Sequence, residues 1–277
     1  MILVKFYKTG EPDCADKKMK EIEEYSIQAW RELMGKQYSS FVSIDAECSL
    51  YDGLQQLIKY KIHRLPIMDF NTGNPLYILT HKRILKFIKV CIDSQNDSDK
   101  KQQAEQNQEN SDHKSSEQKN EVNSWKSIPI FQRILKDVKL GTYRNIAMMY
   151  EDQPLIKALE VFSQKRVSAL PIIQRGTDKL VNVYSKFDVI NLAAERSYNQ
   201  LDINIGQALQ YRTRQGRPER KMIVCGLHET IEEIANKVVK AEVHRIIVVD
   251  DSYRVIGIVS LSDLLAYMVR DDKSPKK

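Results

Sequence analysis

No stretch of the 277-residue chain holds the ~20 consecutive apolar residues that a bilayer-spanning helix needs. The opening Met1-Ile2-Leu3-Val4 is too short for the apolar core of a secretory leader. Four cysteines, Cys14, Cys48, Cys91 and Cys225, are scattered without metal-ligand spacing, so reduced thiols in a cytosolic or nuclear protein are expected. Cys48 and Cys225 fall in or beside apolar strands and read as packed side chains. The ten glycines are dispersed, and none builds the Gly-rich turn between strand and helix that cradles a phosphate. No serine sits on a nucleophile elbow, and His63, His81, His228 and His244 lack the helix-face spacing of a metal site. These absences argue against an enzyme and against a membrane protein. The formal net charge of +6 is a mild excess, compatible with an anionic ligand and weak evidence for nucleic acid.

What the chain does contain is one pattern written three times, from Leu50, Leu155 and Ile231. Each copy opens on an amphipathic helix, with Leu54, Leu57 and Ile58 in the first, Ala158, Leu159 and Phe162 in the second, and Ile234, Ala235 and Val238 in the third. Thirteen residues after each start comes a dipeptide, His63-Arg64, Ser168-Ala169 or His244-Arg245. An apolar strand follows, then a turn and a second strand, and then a polar residue opening a last helix: Arg83, Asp188 or Asp263. A short leading strand precedes each copy (Phe41 to Ile44, Asn145 to Met148, Met222 to Cys225) and places Val42, Ala147 and Ile223 each 21 positions before the dipeptide. Self-similarity at this spacing means stacked copies of one supersecondary unit. The fold class is therefore α+β, made of β-α-β-β-α units. One such unit cannot cover its own sheet, so units are expected to pair back to back.

Three complete copies leave one without a partner. Residues 1–7 have the apolar content of a last helix, and Glu21 to Leu33 reads as a linker helix, so residues 1–35 are expected to hold the remnant of a shortened first repeat. The second, third and fourth repeats then occupy 36–92, 125–200 and 201–272, with a tail over 273–277. Residues 93–124 are almost entirely Asp, Ser, Gln, Asn, Lys and Glu, without one aromatic. They cannot bury enough apolar surface to offset the entropy of ordering, so a disordered insertion is expected. Residues 212–221 form a basic loop.

Asp188 and Asp263 each follow a strand ending in serine and open a helix. A carboxylate there has a bland role, capping free amides, and a functional one, accepting hydrogen bonds from both hydroxyls of a ribose. His63-Arg64 and His244-Arg245, with Lys82, Arg83, Lys186 and Arg212 near equivalent strand ends, supply cations that repeat symmetry should make converge. Converging Arg, Lys and His suit phosphates. Val42, Ala147 and Ile223 either line an apolar slot for a base or are simple core.

The segments Lys61-Ile62-His63-Arg64-Leu65-Pro66, Leu76 to Phe87, Arg166-Val167-Ser168-Ala169-Leu170-Pro171, Tyr184 to Glu195, and Glu242-Val243-His244-Arg245 with Ile258 to Asp263 resemble the γ regulatory subunits of AMP-activated protein kinases and their fungal and plant counterparts. Those subunits consist of four CBS repeats in two Bateman modules. The resemblance runs from about residue 20 to 270 and implies a pseudo-symmetric disc, here with one repeat incomplete. It implies AMP, ADP and ATP as ligands in clefts between repeats, ribose held by the helix-opening aspartate, and no catalysis. It also implies a kinase catalytic α subunit and a β scaffold as partners, with neither nucleic acid nor membrane involved.

Carried onto this chain, one site would use Thr142, Ala147, Ser168, Ala169, Ser260, Ser262 and Asp263. A neighbouring site would use Lys82, Ser185, Lys186, Phe187, Asp188, Arg212, Ile223, His244 and Arg245. Arg83 stands where the other copies have aspartate, as in the family's empty site, and cannot accept ribose hydrogen bonds. Val42, His63 and Arg64 would reach towards a site whose ribose anchor belonged to the missing repeat, so at most two competent sites are expected. The alternative function is a free-standing CBS module that binds adenosyl ligands and regulates another enzyme or a transporter. A basic surface for nucleic acid is a third reading.

Overall fold

The computed structural model describes residue 24 and residues 26–34, 41–106, 129–165, 167–186, 188–189, 203–214 and 222–269. The remnant helix expected over 1–7 lies outside them, while the linker helix is present as α1 (Ile27–Met34). Each copy of the pattern forms a three-stranded sheet with the longest-paired strand in the middle. The strand orders are β1 (Ile44–Asp45), β2 (Arg64–Met68) and β3 (Pro75–Thr80) in the second repeat, and β4 (Met149–Tyr150), β5 (Ala169–Ile173) and β6 (Leu180–Ser185) in the third. In the fourth they are β7 (Val224–Cys225), β8 (Arg245–Val249) and β9 (Val255–Ser260). The outer strand that leads each repeat is parallel to the middle one, as Ile44 opposite Ile67 and Met149 opposite Ile172. The second pair is an antiparallel hairpin, with Leu65 opposite Leu79 and Leu170 opposite Tyr184. A bulge recurs at the same place in two copies, between Ile67 and Met68 and between Ile172 and Ile173. The leading strands pair only over two residues and start later than the apolar runs suggested, because most of each run stays extended without a ladder partner.

The helix before each dipeptide starts on a side-chain cap where the sequence provides one. Ser49 opens α2 (Leu50–Lys59): its Oγ accepts from the Asp52 amide at 3.1 Å, while Asp52 accepts from the Ser49 amide. This reciprocal box satisfies two amides that the first turn leaves without intrahelical partners. Thr230 and Glu233 do the same for the fourth repeat's helix, Ile231–Lys240. The third repeat's equivalent, Leu155–Gln164, follows Pro154 and has no side-chain cap.

The chain divides into two compact units. One comprises Phe41–Gly141, Cys225–Ile246 and Ile258–Lys277. Here the helices of the second repeat pack on those of the fourth. Helix α3 (His81–Gln106) lies against α8 (Leu261–Met268) and against the Ile231–Lys240 helix, which is α7. Segment 129–140, expected to lead into the third repeat, instead docks on the fourth. A 3-10 turn at Pro129–Gln132 and the short helix α4 (Leu135–Val138) hydrogen-bond to it through Leu135 N–H to Glu229 O at 2.9 Å and Tyr267 Oη–H to Ile130 O at 3.1 Å. Its buried Phe131 and Leu135 explain the preference.

Helix α3 also corrects the sequence reading. It begins at His81, two residues before the Arg83 expected to open it, and runs to Gln106, so the first part of the expected disordered insertion is helical. Lys, Gln, Glu and Ala extend a helix at little local cost once its first turns are fixed by packing. Residues 107–124 lie outside the described part.

The other unit comprises Met1–Ser40, Thr142–Val224 and Ile247–Gly257. Its core gathers Leu155, Leu159 and Phe162 of α5 (Leu155–Gln164) with Leu170, Ile172, Tyr184 and Ile205. The third repeat meets the fourth repeat's hairpin directly: Lys179 bridges Arg254 antiparallel, and the Leu180 amide donates to Tyr253 O at 2.9 Å. Gly257 is required there, since a Cβ would stand 2.6 Å from the Tyr143 ring. Helix α6 (Ile205–Arg214) completes the elements of this unit used below.

Candidate functional site

Backbone geometry brings the dipeptides of the third and fourth repeats to the start of their last helices. Ser168 O accepts from the Lys186 amide and His244 O from the Leu261 amide, both at 3.0 Å. The dipeptide therefore sits beside the strand-to-helix junction in the third and fourth repeats alike.

In the unit shared by the second and fourth repeats, this arrangement gathers cations. The His63 and His81 rings meet edge to face, with centroids 5.6 Å apart. His81 opens α3 and is only 5 % exposed, and its Nε2 is buried without a hydrogen-bond partner among the described residues. Its pKa is lowered to about 4, first by burial and then by the fields of His63 and His244. His63 is exposed overall, yet partial desolvation and then the Arg245 charge lower its pKa too. Arg245 is half-buried, and desolvation lowers its pKa in the same direction. Every resolved shift in this group disfavours the charged form; burial is the first cause in all three, and neighbouring cations add to it at His63 and His81. An anion at their centre would reverse the repulsive part of those shifts. His244 and Arg64 are exposed beside the group, and Val42 is half-buried in the stretch leading to β1.

Lys82 is held elsewhere. Its Nζ lies 2.7 Å from Glu242 Oε2, and Lys86, one helical turn along, pairs with the other oxygen of the same carboxylate. These hydrogen bonds and charges hold the Glu242 pKa down at about 2. Arg83 also turns away: its Nη1 donates to Ile78 O at 2.7 Å, and its guanidinium stacks on the Tyr77 ring at 4.5 Å.

The helix-opening aspartates both take the bland role. Ser260 N–H and Oγ–H donate to Asp263 Oδ2 at 2.8 and 2.6 Å, and Ser260 Oγ accepts from the Asp263 amide. Asp188 accepts from Ser185 N–H and Oγ–H on one oxygen in the same manner, and it is buried at 7 % exposure. Both boxes engage Oδ2, and a carboxylate has lone pairs on two oxygens.

The remaining predicted residues fall as follows. Ala147 and Ala169 are buried, Ser168, Ser185 and Ile223 half-buried, and Thr142 and Lys186 exposed, all in the unit built on the third repeat. Ser260, Ser262 and Asp263 are half-buried in the other unit. Arg212 lies on α6, and Phe187 lies outside the described residues. Cys225 is packed as expected, its thiol pushed up to about 12 by burial and then by Glu229. Cys48 is exposed, contrary to expectation, at the rim of an apolar cavity of about 180 Å³ lined also by Ile44, Leu50, Ile67 and Leu79. That cavity is lined by none of the cations. Among the described residues no group of His, Cys, Asp and Glu could hold a metal ion, and no helix is long and apolar enough to cross a membrane.

The CBS-domain model matches residues 30–90, 136–195 and 218–270, which is more than half of the chain. The chain belongs to the CBS-domain family. Among curated relatives, the pig (Sus scrofa) 5'-AMP-activated protein kinase subunit gamma-3 is 37 % identical over 251 residues, covering 90 % of this chain and 42 % of the relative. The human (Homo sapiens) gamma-3 subunit is 36 % identical over 251 residues, covering 90 % and 44 %. The chain thus spans less than half the length of these relatives. The fold is similar to that of a Methanocaldococcus jannaschii protein proposed as an archaeal homologue of γ-AMPK, with TM-score 0.57, 13 % identity and coverage of 83 % of this chain and 68 % of that one. A conserved Pyrococcus horikoshii protein gives TM-score 0.53 at 18 % identity, covering 82 % and 79 %.

Sequence reasoning missed His81, Lys86 and Glu242. His81 was visible as the residue next to Lys82 at the junction, in line with Lys186 of the third repeat. Glu242 and Lys86 are 156 positions apart, and nothing in the repeat pattern pairs them.

Proposed function

We propose that this chain is a non-catalytic, adenine-nucleotide-binding regulatory subunit of the γ type in an AMP-activated protein kinase assembly. It binds AMP, ADP and ATP, and it works in the cytosol or nucleus with a catalytic α subunit and a β scaffold. The observation that carries the reading is the meeting of His63, His81, His244 and Arg245 in one unit, with the buried His81 Nε2 lacking a partner. A phosphate supplies both the missing acceptor and the missing negative charge. The extended similarity to kinase gamma-3 subunits supports adenylates over other phosphates.

Ribose binding by Asp188 and Asp263 is compatible with their capping bonds, because those bonds engage one oxygen of each carboxylate. Arg83 offers no acceptor, so the second repeat holds no ribose and at most two sites are competent. Regulation follows from differential affinity: a nucleotide shifts kinase activity only as far as it distinguishes two states of the assembly.

The test is equilibrium binding of AMP to the full chain and to Arg245→Gln, with co-purification of the α and β subunits alongside. Loss of a charge-assisted phosphate contact should weaken AMP by about tenfold or more. Unaltered affinity in the variant would refute the cationic site, and recovery of no kinase chain would favour a free-standing CBS module.

A further inference from the structure

We propose that the open face of the second repeat's sheet, around Pro66, Met68 and Ile78, docks on the same face of a second copy of this chain, so that two molecules pair repeat to repeat.

Cross-strand register divides this sheet into two faces. Leu65 stands opposite Leu79 and Ile67 opposite Tyr77, so these side chains share one face, while Pro66 and Ile78, also opposite each other, share the other. Helix α2 lies on the first face, since a Cβ on Gly53 would stand 2.8 Å from Leu79 and 4.0 Å from Leu65. On the second face Pro66 and Met68 are half-buried, and Ile78 is 47 % exposed. Contiguous apolar surface left open in this way marks an interaction site.

The third repeat has the same face in a different state. Its equivalent pair is Pro171 opposite Val183. Pro171 is buried, Val183 half-buried, and Ile173, in the place of Met68, is buried as well. That repeat is joined to the fourth at the hairpin, through the Lys179–Arg254 bridge and the bond from the Leu180 amide to Tyr253 O. Among the described residues no such bridge links the second repeat's hairpin to another repeat. Two of the three described sheets therefore satisfy each other, and the second is the odd one.

A second copy is the occupant that fits. It brings a repeat of the same backbone plan, which is what the third repeat's hairpin meets in this chain. The centre of the face is also compatible with itself. Pro66, Met68 and Ile78 carry no charge, and Arg64 stands at the start of the strand. Packing about a two-fold axis would set Ile78 against its own counterpart and bury apolar surface on both sides. Pairing by the strand edge is disfavoured. Strand β3 is an outer strand that starts on exposed Pro75, and proline has no N–H to offer. Pro75 holds the place of Leu180, whose amide makes the bond to the fourth repeat. The contact between copies thus rests on side-chain packing without that hydrogen bond, and it should be reversible.

The experiment is sedimentation velocity of the full chain over a roughly hundredfold range of concentration, for the wild type, Ile78→Lys, Ile78→Glu, an equal mixture of these two variants, and Val181→Lys. The wild type should pass from monomer to dimer as concentration rises. Either charge at position 78 should weaken dimerisation by at least about tenfold, because it meets its own copy across the axis, and the mixture should restore the dimer. Val181→Lys adds the same charge to the third repeat's outer strand, at a residue 36 % exposed, and should leave dimerisation unchanged. Ile78 is exposed in the single chain, so the urea midpoints of dilute protein should match the wild type. A wild type that stays monomeric throughout would overturn the proposal without recourse to any variant, and would mean that other residues of the chain or a different partner cover the face. A dimer as tight in Ile78→Lys as in the wild type would overturn it by placing the contact elsewhere, and a mixture that fails to dimerise would overturn the two-fold pairing.

Discussion

The second and fourth repeats begin alike and end differently. Both carry a His-Arg dipeptide and lead through a hairpin into a helix opened by a hydroxyl residue, Thr80 in one and Ser260 in the other. In the fourth repeat the third helical residue is Asp263, which closes a capping box and keeps an acceptor at the junction. In the second it is Arg83, whose amide still reaches Thr80 Oγ1 but whose side chain folds back onto Tyr77 and Ile78. The sheets differ as well. The outer hairpin strand β3 leaves Leu76, Tyr77 and Ile78 about half exposed, whereas its fourth-repeat counterpart β9 is buried or half-buried throughout. One backbone plan thus supports a repeat with a carboxylate at the start of its last helix and one with a guanidinium there. The difference lies in a single side chain at the helix start and in how far the outer hairpin strand is buried.

The comparison can be tested at several strengths. The strongest test is of the sheets. Ile246→Ala, at a fully buried site in the fourth repeat, should cost about 3 kcal/mol in urea unfolding, and Ile78→Ala in the second less than about 1 kcal/mol. Equal losses would mean that the outer strand of the second repeat is packed as tightly as the central strand of the fourth. The next test concerns what the second repeat does contribute. The folded pKa of His81, about 4, lies below its ordinary 6.5, so the unfolded chain binds more protons between these values. Stability is therefore fully present above pH 6.5 and is lost as pH falls towards 4. At pH 5 the loss should be on the order of 2 kcal/mol, and His81→Leu should remove that component.

A finer test exchanges the helix starts. Asp263→Ala should destabilise the fold by about 1 kcal/mol and abolish the ribose contact. Arg83→Ala should leave nucleotide affinity unchanged. The smallest expected effect is that of Arg83→Asp, which completes a box with Thr80 and should raise stability by roughly 0.5 kcal/mol, partly offset by the lost stacking on Tyr77. Destabilisation there would mean that Arg83 holds the junction together.

Most of this architecture could be read without coordinates, because each repeat states its elements twice over. Periodicity marks the helices, and the apolar runs at Leu65, Leu170 and Ile246 mark the central strands, all three of them fully buried. Of the cations expected to converge, His63, His244 and Arg245 lie in one unit near His81, whereas Lys82 pairs with Glu242 and Arg83 turns to Tyr77 and Ile78. The parts that escaped reading are those set by long-range packing. Phe131 and Leu135 fall within the span expected for the third repeat, yet their apolar surface is buried in the unit that contains most of the fourth. The polar stretch after Asp93 has the composition of a solvated chain, but it inherits a helix already nucleated at His81. Lys82 reads as a phosphate ligand until Glu242 is found on it, a pairing that requires the helices of two repeats to be side by side. Asp188 and Asp263 were legible in both their roles, and the capping bonds that decide the first role leave the second to be measured.

The central claim is that basic side chains from separate repeats converge to bind the phosphates of an adenine nucleotide whose sugar a helix-opening aspartate holds. Calorimetric titration of the full chain with AMP, beside Asp188→Ala, Asp263→Ala and the two combined, tests it most directly. The account predicts saturable binding at no more than two sites, the loss of one site's heat in each single variant and of both in the double. Binding that persists undiminished in the double variant, or more than two sites per chain, would contradict it.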